Sequence, residues 1–281
     1  MTTQTVPLKS RPLTAASLAL AMSFLSLASH AQCSRSLHVP IMPSGLTVIA
    51  KDGEYRGIVP EFLAQVAEKT GCKFVYQLVP KSRQEALFEA GQADLLLTAV
   101  RTNKRDRSGD FVPLVQLRAT LISIESGQAA ISTSSELLTK SQLKVLVVRG
   151  FDYGATYQRV LQELQSQGRL VFEADATSVA RIMKTSQHYA TIMAPTIFSG
   201  LLQTEPKLSE LIGKLRYEKL DDFPWSESGI YVSSKSLNDA DRLLLKTHME
   251  KLARGDLIWK AYQHYYSPEL VRLGLRSRDS H

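Results

Sequence analysis

The stretch ADLLLTAVRTNKRDRSGDFVPL, residues 93–114, decides how the chain is read. Its first eight residues, 93–100, are almost all apolar and read as a buried strand. The eleven residues that follow, 101–111, hold four basic and two acidic side chains. In an open α/β sheet the carboxyl ends of the strands face the ligand crevice, so a basic turn at that edge is placed to meet an anion. A solvated charged loop is the competing reading. FVPLVQLRATLISIES, 111–126, then runs extended and reads as a crossing from one lobe to another.

The surroundings repeat one pattern. Upstream, residues 37–42 read as a strand, and KDGEYRG, 51–57, as a hairpin turn at Asp52-Gly53. IVPEFLAQVAEKTG, 58–71, is an amphipathic helix with Pro60 in its first turn and Gly71 past its end. CKFVYQLV is a second strand, and SRQEALFEAG, 82–91, a short helix. Strand, helix, strand, helix, strand implies right-handed crossovers on a parallel sheet. Downstream a second such unit begins. LKVLVVRG, 143–150, RLVFEA and YATIMA, 189–194, read as strands, with helices over 156–168 and ATSVARIMKTS between them. LIGKLRYEKL and GIYVSS supply weaker strands, and 239–255 and 256–266 two amphipathic helices. The tail after Pro268 is expected to be surface or frayed.

Two α/β units joined by extended crossings describe two lobes with a cleft between. The first lobe is placed at 33–115 plus 230–281 and the second at 121–222, with a hinge near 116–120 and 223–229. Hinge closure around a small solute is a known mechanism for this geometry.

The amino-terminal residues read as an export signal over 1–31. Lys9 and Arg11 precede the apolar run Leu13 to Ala28, and Ser29-His30-Ala31 gives the small-x-small cleavage pattern. Gln32 stands where a lipoprotein needs a small residue, so Cys33 is not read as a lipid anchor. Removing the leader lowers the net charge from +7 to +5 and leaves 250 residues. Basic and acidic residues interleave, which argues against nucleic acid and suits attraction of an acidic solute. The two cysteines, Cys33 and Cys72, open neighbouring strand candidates and are expected to be bridged in an oxidising compartment. The histidines are scattered, with no metal-ligand spacing and no phosphate loop, so no metal and no cofactor are expected.

Leu87, Gly91 and Asp94, then Thr102 and Arg105, then Asp110, Phe111 and Pro113 fall in the order and spacing of a known family. The chain resembles the bacterial solute-binding proteins that serve as polar amino-acid receptors of ABC importers. The resemblance implies a type 2, two-lobed periplasmic-binding-protein-like fold with a central cleft and two crossover strands. It implies a periplasmic, soluble, monomeric receptor for a small anionic or zwitterionic solute, partnered by an inner-membrane permease and performing no catalysis.

Carried over residue by residue, Arg105 matches the arginine that grips the ligand α-carboxylate. Its alternative is a structural salt bridge to Asp106 or Asp110. Thr98 and Val100 match ligand-contacting positions, Val100 through its backbone N–H. Gly150 is followed by Phe151, Asp152 and Tyr153, where the family usually has a serine or threonine. Asp152 either meets a cation or caps the following helix, while Phe151 and Tyr153 either stack on a ligand or fill the lobe core. Trp225 either faces the ligand or packs the hinge. Ala194-Pro195 stands where the family usually has the aspartate that binds the α-ammonium. The ligand therefore lacks an amine, or Asp152, Glu173 or Glu227 takes over. Two rival functions remain on the same architecture: a cyclohexadienyl dehydratase with a cleft carboxylate as general acid, and a ligand-sensing domain for a membrane partner.

Overall fold

The structure, a computed structural model, describes residues 1–5 and 32–280. The export signal expected at 1–31 therefore lies almost wholly outside the described residues. Among the described residues, no helix is long and apolar enough to cross a membrane.

The first lobe is built on a four-stranded sheet in the order Leu275–Ser277, Gly109–Leu117, Ser226–Ser233, Leu95–Val100. A parallel pair, Leu37–Ile41 with Phe74–Leu78, continues it beside Leu95–Val100. The Asp94 carboxylate ties these parts together by accepting from Arg35, the His38 N–H and the Ser236 hydroxyl. Burial pushes the Asp94 carboxyl up, but these donors outweigh it and hold it below the usual range. The helix Ile58–Thr70 buries Phe62, Leu63 and Val66 against this sheet and ends at Gly71, whose φ of 68° lets its N–H reach Ala67 O. Cys33 and Cys72 are joined, their Cα atoms 4.9 Å apart, so the expected bridge is present. The turn at Asp52-Gly53 joins the hairpin strands Ile49–Lys51 and Glu54–Arg56, with positive φ at both turn residues.

The second lobe carries a five-stranded sheet in the order Leu215–Glu218, Thr120–Ile124, Tyr189–Met193, Lys144–Val148, Leu170–Glu173. Its last three strands are parallel and the first two antiparallel. A separate hydrophobic core, including Leu121, Val147, Tyr157 and Phe198, fills it. The expected extended run 111–126 is thus two strands, one in each sheet, that change sheets between Leu117 and Thr120.

The structure departs from the sequence reading at the carboxyl end. The tail after Pro268 is not frayed: Pro268–Gly274 is a helix and Leu275–Ser277 an edge strand on Gly109–Leu117. Val271 and Leu275 are buried and Leu270 packs against the same core, so apolar residues anchor the segment between its charged ones. In the second lobe Pro195–Thr204 forms a full helix, with Pro195 at its start.

Candidate ligand cleft

A cavity of about 40 Å³ lies between the lobes. Of the expected site residues it brings together Thr98, Val100 and Arg105 from the first lobe with Phe151, Asp152 and Tyr153 from the second. Trp225 does not line it. Its ring is held between the guanidinium groups of Arg118 and Arg276, 4.5 and 4.2 Å from the ring centre.

Arg105 is reached as its sequence position implies. Leu95–Val100 ends at the cleft, Thr102 caps the short turn Asn103–Asp106 by accepting from the Arg105 N–H, and the Arg105 side chain turns inward to 4 % exposure. Its partner is neither Asp106 nor Asp110. Asp106 accepts from the Tyr231 hydroxyl and Asp110 pairs with Arg242. Arg105 instead holds Glu85 through two bonds, Nε to Oε2 at 3.1 Å and Nη2 to Oε1 at 2.8 Å. Its Nη1 donates to the Val100 carbonyl at 2.6 Å. Three of its five donors are engaged, and one on each terminal nitrogen is left.

Glu85 sits one turn after Lys81 on the helix Lys81–Glu89, with 3.5 Å between their charged atoms. Lys81 is buried, lines the cavity, and donates to the Leu97 carbonyl at 3.0 Å. That carbonyl is available because Leu97 and Thr98 together face Ile230 in a bulge of the ladder, with Thr98 at φ 49°. Burial pushes the Lys81 ammonium down to about 8, a shift that Glu85 opposes and Arg105 reinforces. Burial would push the Glu85 carboxyl up, but the two cations and their hydrogen bonds hold it below the usual range. Neither Lys81 nor Glu85 was legible as a site residue. Their one signal was a short helix whose apolar positions are too few to cover its inward face.

The second lobe supplies the opposite wall. One Asp152 oxygen accepts from the Gly154 N–H at 2.9 Å, forming a local turn before the helix Ala155–Ser166. Phe151, Tyr153 and Tyr157 stack edge to face, with centroids 6.1 and 5.1 Å apart. The buried Tyr153 hydroxyl accepts from the Ala194 N–H at 3.1 Å, and burial pushes its ionisation well up. Ala194 lines the cavity but offers it no charge; Pro195 beyond it presses on Gly274. Glu173 and Glu227, the other candidates for an ammonium partner, do not line the cavity.

The lobes meet backbone to backbone beside the cavity. A Cβ on Gly200 would stand 2.5 Å from Leu46 N, and one on Gly150 2.8 Å from Ser82 N. The matching model is that of the bacterial extracellular solute-binding proteins, family 3, and it spans residues 42–254. The chain belongs to this family. No curated protein matches it. Solved structures show the same family fold at low identity. An amino-acid ABC transporter substrate-binding protein of Streptococcus pneumoniae bound to L-arginine is 18 % identical, with a TM-score of 0.64, covering 82 % of this chain and 94 % of that one. An arginine-, lysine-, histidine-binding protein of Geobacillus stearothermophilus is 14 % identical, with a TM-score of 0.65 and coverage of 85 % and 99 %. A histidine kinase sensor domain described as similar to periplasmic binding proteins is 16 % identical, with a TM-score of 0.63 and coverage of 83 % and 96 %. As a member of its family the chain is a two-lobed, exported binding protein. Among the described residues no cluster of metal-ligating side chains occurs.

Proposed function

We propose that the protein is a periplasmic receptor that captures a small α-amino acid and hands it to an ABC importer by lobe closure, with no bond made or broken. The observation that carries this reading is the charge of the two walls. Lys81, Glu85 and Arg105 leave one net positive charge on the first lobe, and Asp152 lines the second. A zwitterion fits this arrangement. Its carboxylate takes the free edge of Arg105 as charge-assisted bonds, and its ammonium faces Asp152, which stands in for the aspartate missing at Ala194-Pro195. Phe151, Tyr153 and the Thr98–Val100 strand end enclose the rest. Relatives that transport amino acids support this reading, and the kinase sensor domain supports a second one, in which the closed form signals to a membrane partner.

A thermal-shift screen of amino acids beside their deaminated analogues, with calorimetry on every hit, tests it. An amino acid is expected to bind and its deaminated analogue to bind at least tenfold more weakly. Asp152→Asn is expected to erase that difference. Equal binding of both analogues by the unaltered protein would remove the zwitterion from the reading. Loss of uptake of the hit in a deletion strain separates transport from sensing.

Two further outcomes follow from the same geometry. Lys81 loses its charge as pH rises through about 8, so anion affinity is expected to fall there. The stability contribution of Lys81 has the opposite sign. Its folded value lies below the unfolded one, so the unfolded chain holds more protons above about 8 and this contribution to stability rises with pH. Calorimetric affinity and melting temperature across that range should therefore move in opposite directions where Lys81 dominates. With the hinge proposed at 116–120 and 223–229, closure about it needs Gly200 bare. Gly200→Ala is expected to leave folding intact, since alanine favours helix. It should weaken ligand binding about tenfold or more, because overpacking at the closed contact costs about 1–3 kcal/mol. Solution scattering of the ligand-saturated variant should retain the open radius; a fully closed, tight-binding variant would contradict this.

A further inference from the structure

The charge of the first wall has a cause that the family position of Arg105 does not supply. Glu85 is a carboxylate with 14 % of its side chain exposed, set behind the binding wall, and it already holds the side edge of the arginine. What remains to a solute is the end edge of Arg105, with one donor on each terminal nitrogen, and the nearby Lys81 ammonium. We propose that Glu85 sets the valence of the site, so that the cavity accepts a solute with one negative charge at its anchored end and rejects dianions. This rests on the reading of the cleft as an anion site and deepens it.

The reasoning is electrostatic. On the first wall Lys81 and Arg105 bring two positive charges, Glu85 removes one, and a monocarboxylate neutralises the remainder; Asp152 on the second wall adds a negative charge that the ammonium of a zwitterion meets. A second carboxylate or a divalent oxyanion would leave a buried negative charge without a partner, which is costly where water is scarce. The cavity of about 40 Å³ holds only a few waters. No other cation lines it, and its remaining wall includes Val59, Val100, Leu114, Leu117 and Ile197. Glu85 does not need to touch the solute. It is a positioning residue that fixes both the orientation of Arg105 and the count of free charge.

The test titrates the unaltered protein, Glu85→Gln and Glu85→Asp with paired probes. These are L-alanine against aminomalonate and acetate against malonate, each pair differing by one carboxylate on the same carbon. At pH 6, below the Lys81 transition, the unaltered protein should prefer the monocarboxylate of each pair. Glu85→Gln should shift that preference at least tenfold toward the dicarboxylate, and Glu85→Asp, which keeps the charge, should restore it. A purely structural role for Glu85 would weaken both probes alike and leave the ratio unmoved. An unchanged ratio in Glu85→Gln overturns the proposal while the anion-site reading stands. No response of the unaltered protein to any probe overturns the anion-site reading, and this proposal with it. Where Glu85→Gln alone does not fold, the count is read from Lys81→Met, whose cluster is neutral, and from Lys81→Met with Glu85→Gln, whose cluster again carries one positive charge. The double variant should regain at least tenfold in L-alanine affinity over Lys81→Met, and a double variant that binds no better overturns the proposal.

Discussion

Arg105→Ala is expected to abolish ligand binding and to destabilise the protein by about 3–5 kcal/mol, the usual cost of removing one partner from a buried ion pair. Two effects share this residue. The substitution deletes both bonds to Glu85 and the bond to the Val100 carbonyl. It also leaves Glu85 with Lys81 as its remaining partner in the cluster, and removes the net positive charge that attracts the solute. Denaturant unfolding measures the first effect and calorimetry the second. Arg105→Ala with Glu85→Ala separates them: stability should return only in part, since the buried Lys81 then loses its carboxylate partner, while binding remains weak. Arg107→Ala, exposed two residues further on, should change neither by more than a few tenths of a kcal/mol. Retention of full affinity in Arg105→Ala would move the anion anchor elsewhere.

Reducing the Cys33–Cys72 bridge should have a comparable effect on folding and little on the site. The bond spans 39 residues and joins the start of the first lobe to the end of its first long helix. In the chain-entropy account, closing a loop of that length contributes roughly 4 kcal/mol by restricting the unfolded chain. Both cysteines are buried, so the change to serine also places two hydroxyls in an apolar setting. Cys33→Ser with Cys72→Ser is expected to melt about 8–16 °C lower than the oxidised protein. Scanning calorimetry of the oxidised, reduced and substituted forms checks this. A melting temperature unmoved by reduction would show that the loop is held by packing alone, through Leu37, Phe62 and the Arg35–Asp94 pair.

The fold was legible because the periodic elements are bounded by punctuation with local causes. Pro60 and Gly71 bracket one helix, and Gly168 follows another, at φ 66°. The strand 93–100 and the turn after it put a basic loop at the sheet edge, and the family resemblance singled out Arg105 within it, without any knowledge of its partner. The tail after Pro268 was missed because its apolar residues, Leu270, Val271, Leu273 and Leu275, are interrupted by charged ones over a short span. The partner of Arg105 was missed for a different reason. Glu85 lies twenty residues upstream, on a helix whose buried positions include Lys81 and Gln84 beside Leu87 and Phe88. Periodicity identifies inward faces by their apolarity, so a face that turns charges inward is invisible to it. For Trp225 hinge packing was one of the two readings, but its partners were illegible, because stacking between Arg118 and Arg276 depends on segments that meet only in the folded chain.

That stacked tryptophan gives the molecule an optical gauge of its own motion. Trp225 precedes the strand Ser226–Ser233, Arg118 lies between the strands that change sheets, and Arg276 belongs to the carboxyl-terminal edge strand. Rotation about the proposed hinge is expected to shift the indole between its two charged faces and to change both quenching and polarity at the ring. The chain holds one other tryptophan, Trp259, on the helix Leu257–Tyr265 of the first lobe. A Trp259→Phe variant would leave a single emitter at the pivot, so that opening and closing can be followed in real time by intrinsic fluorescence, with no label attached.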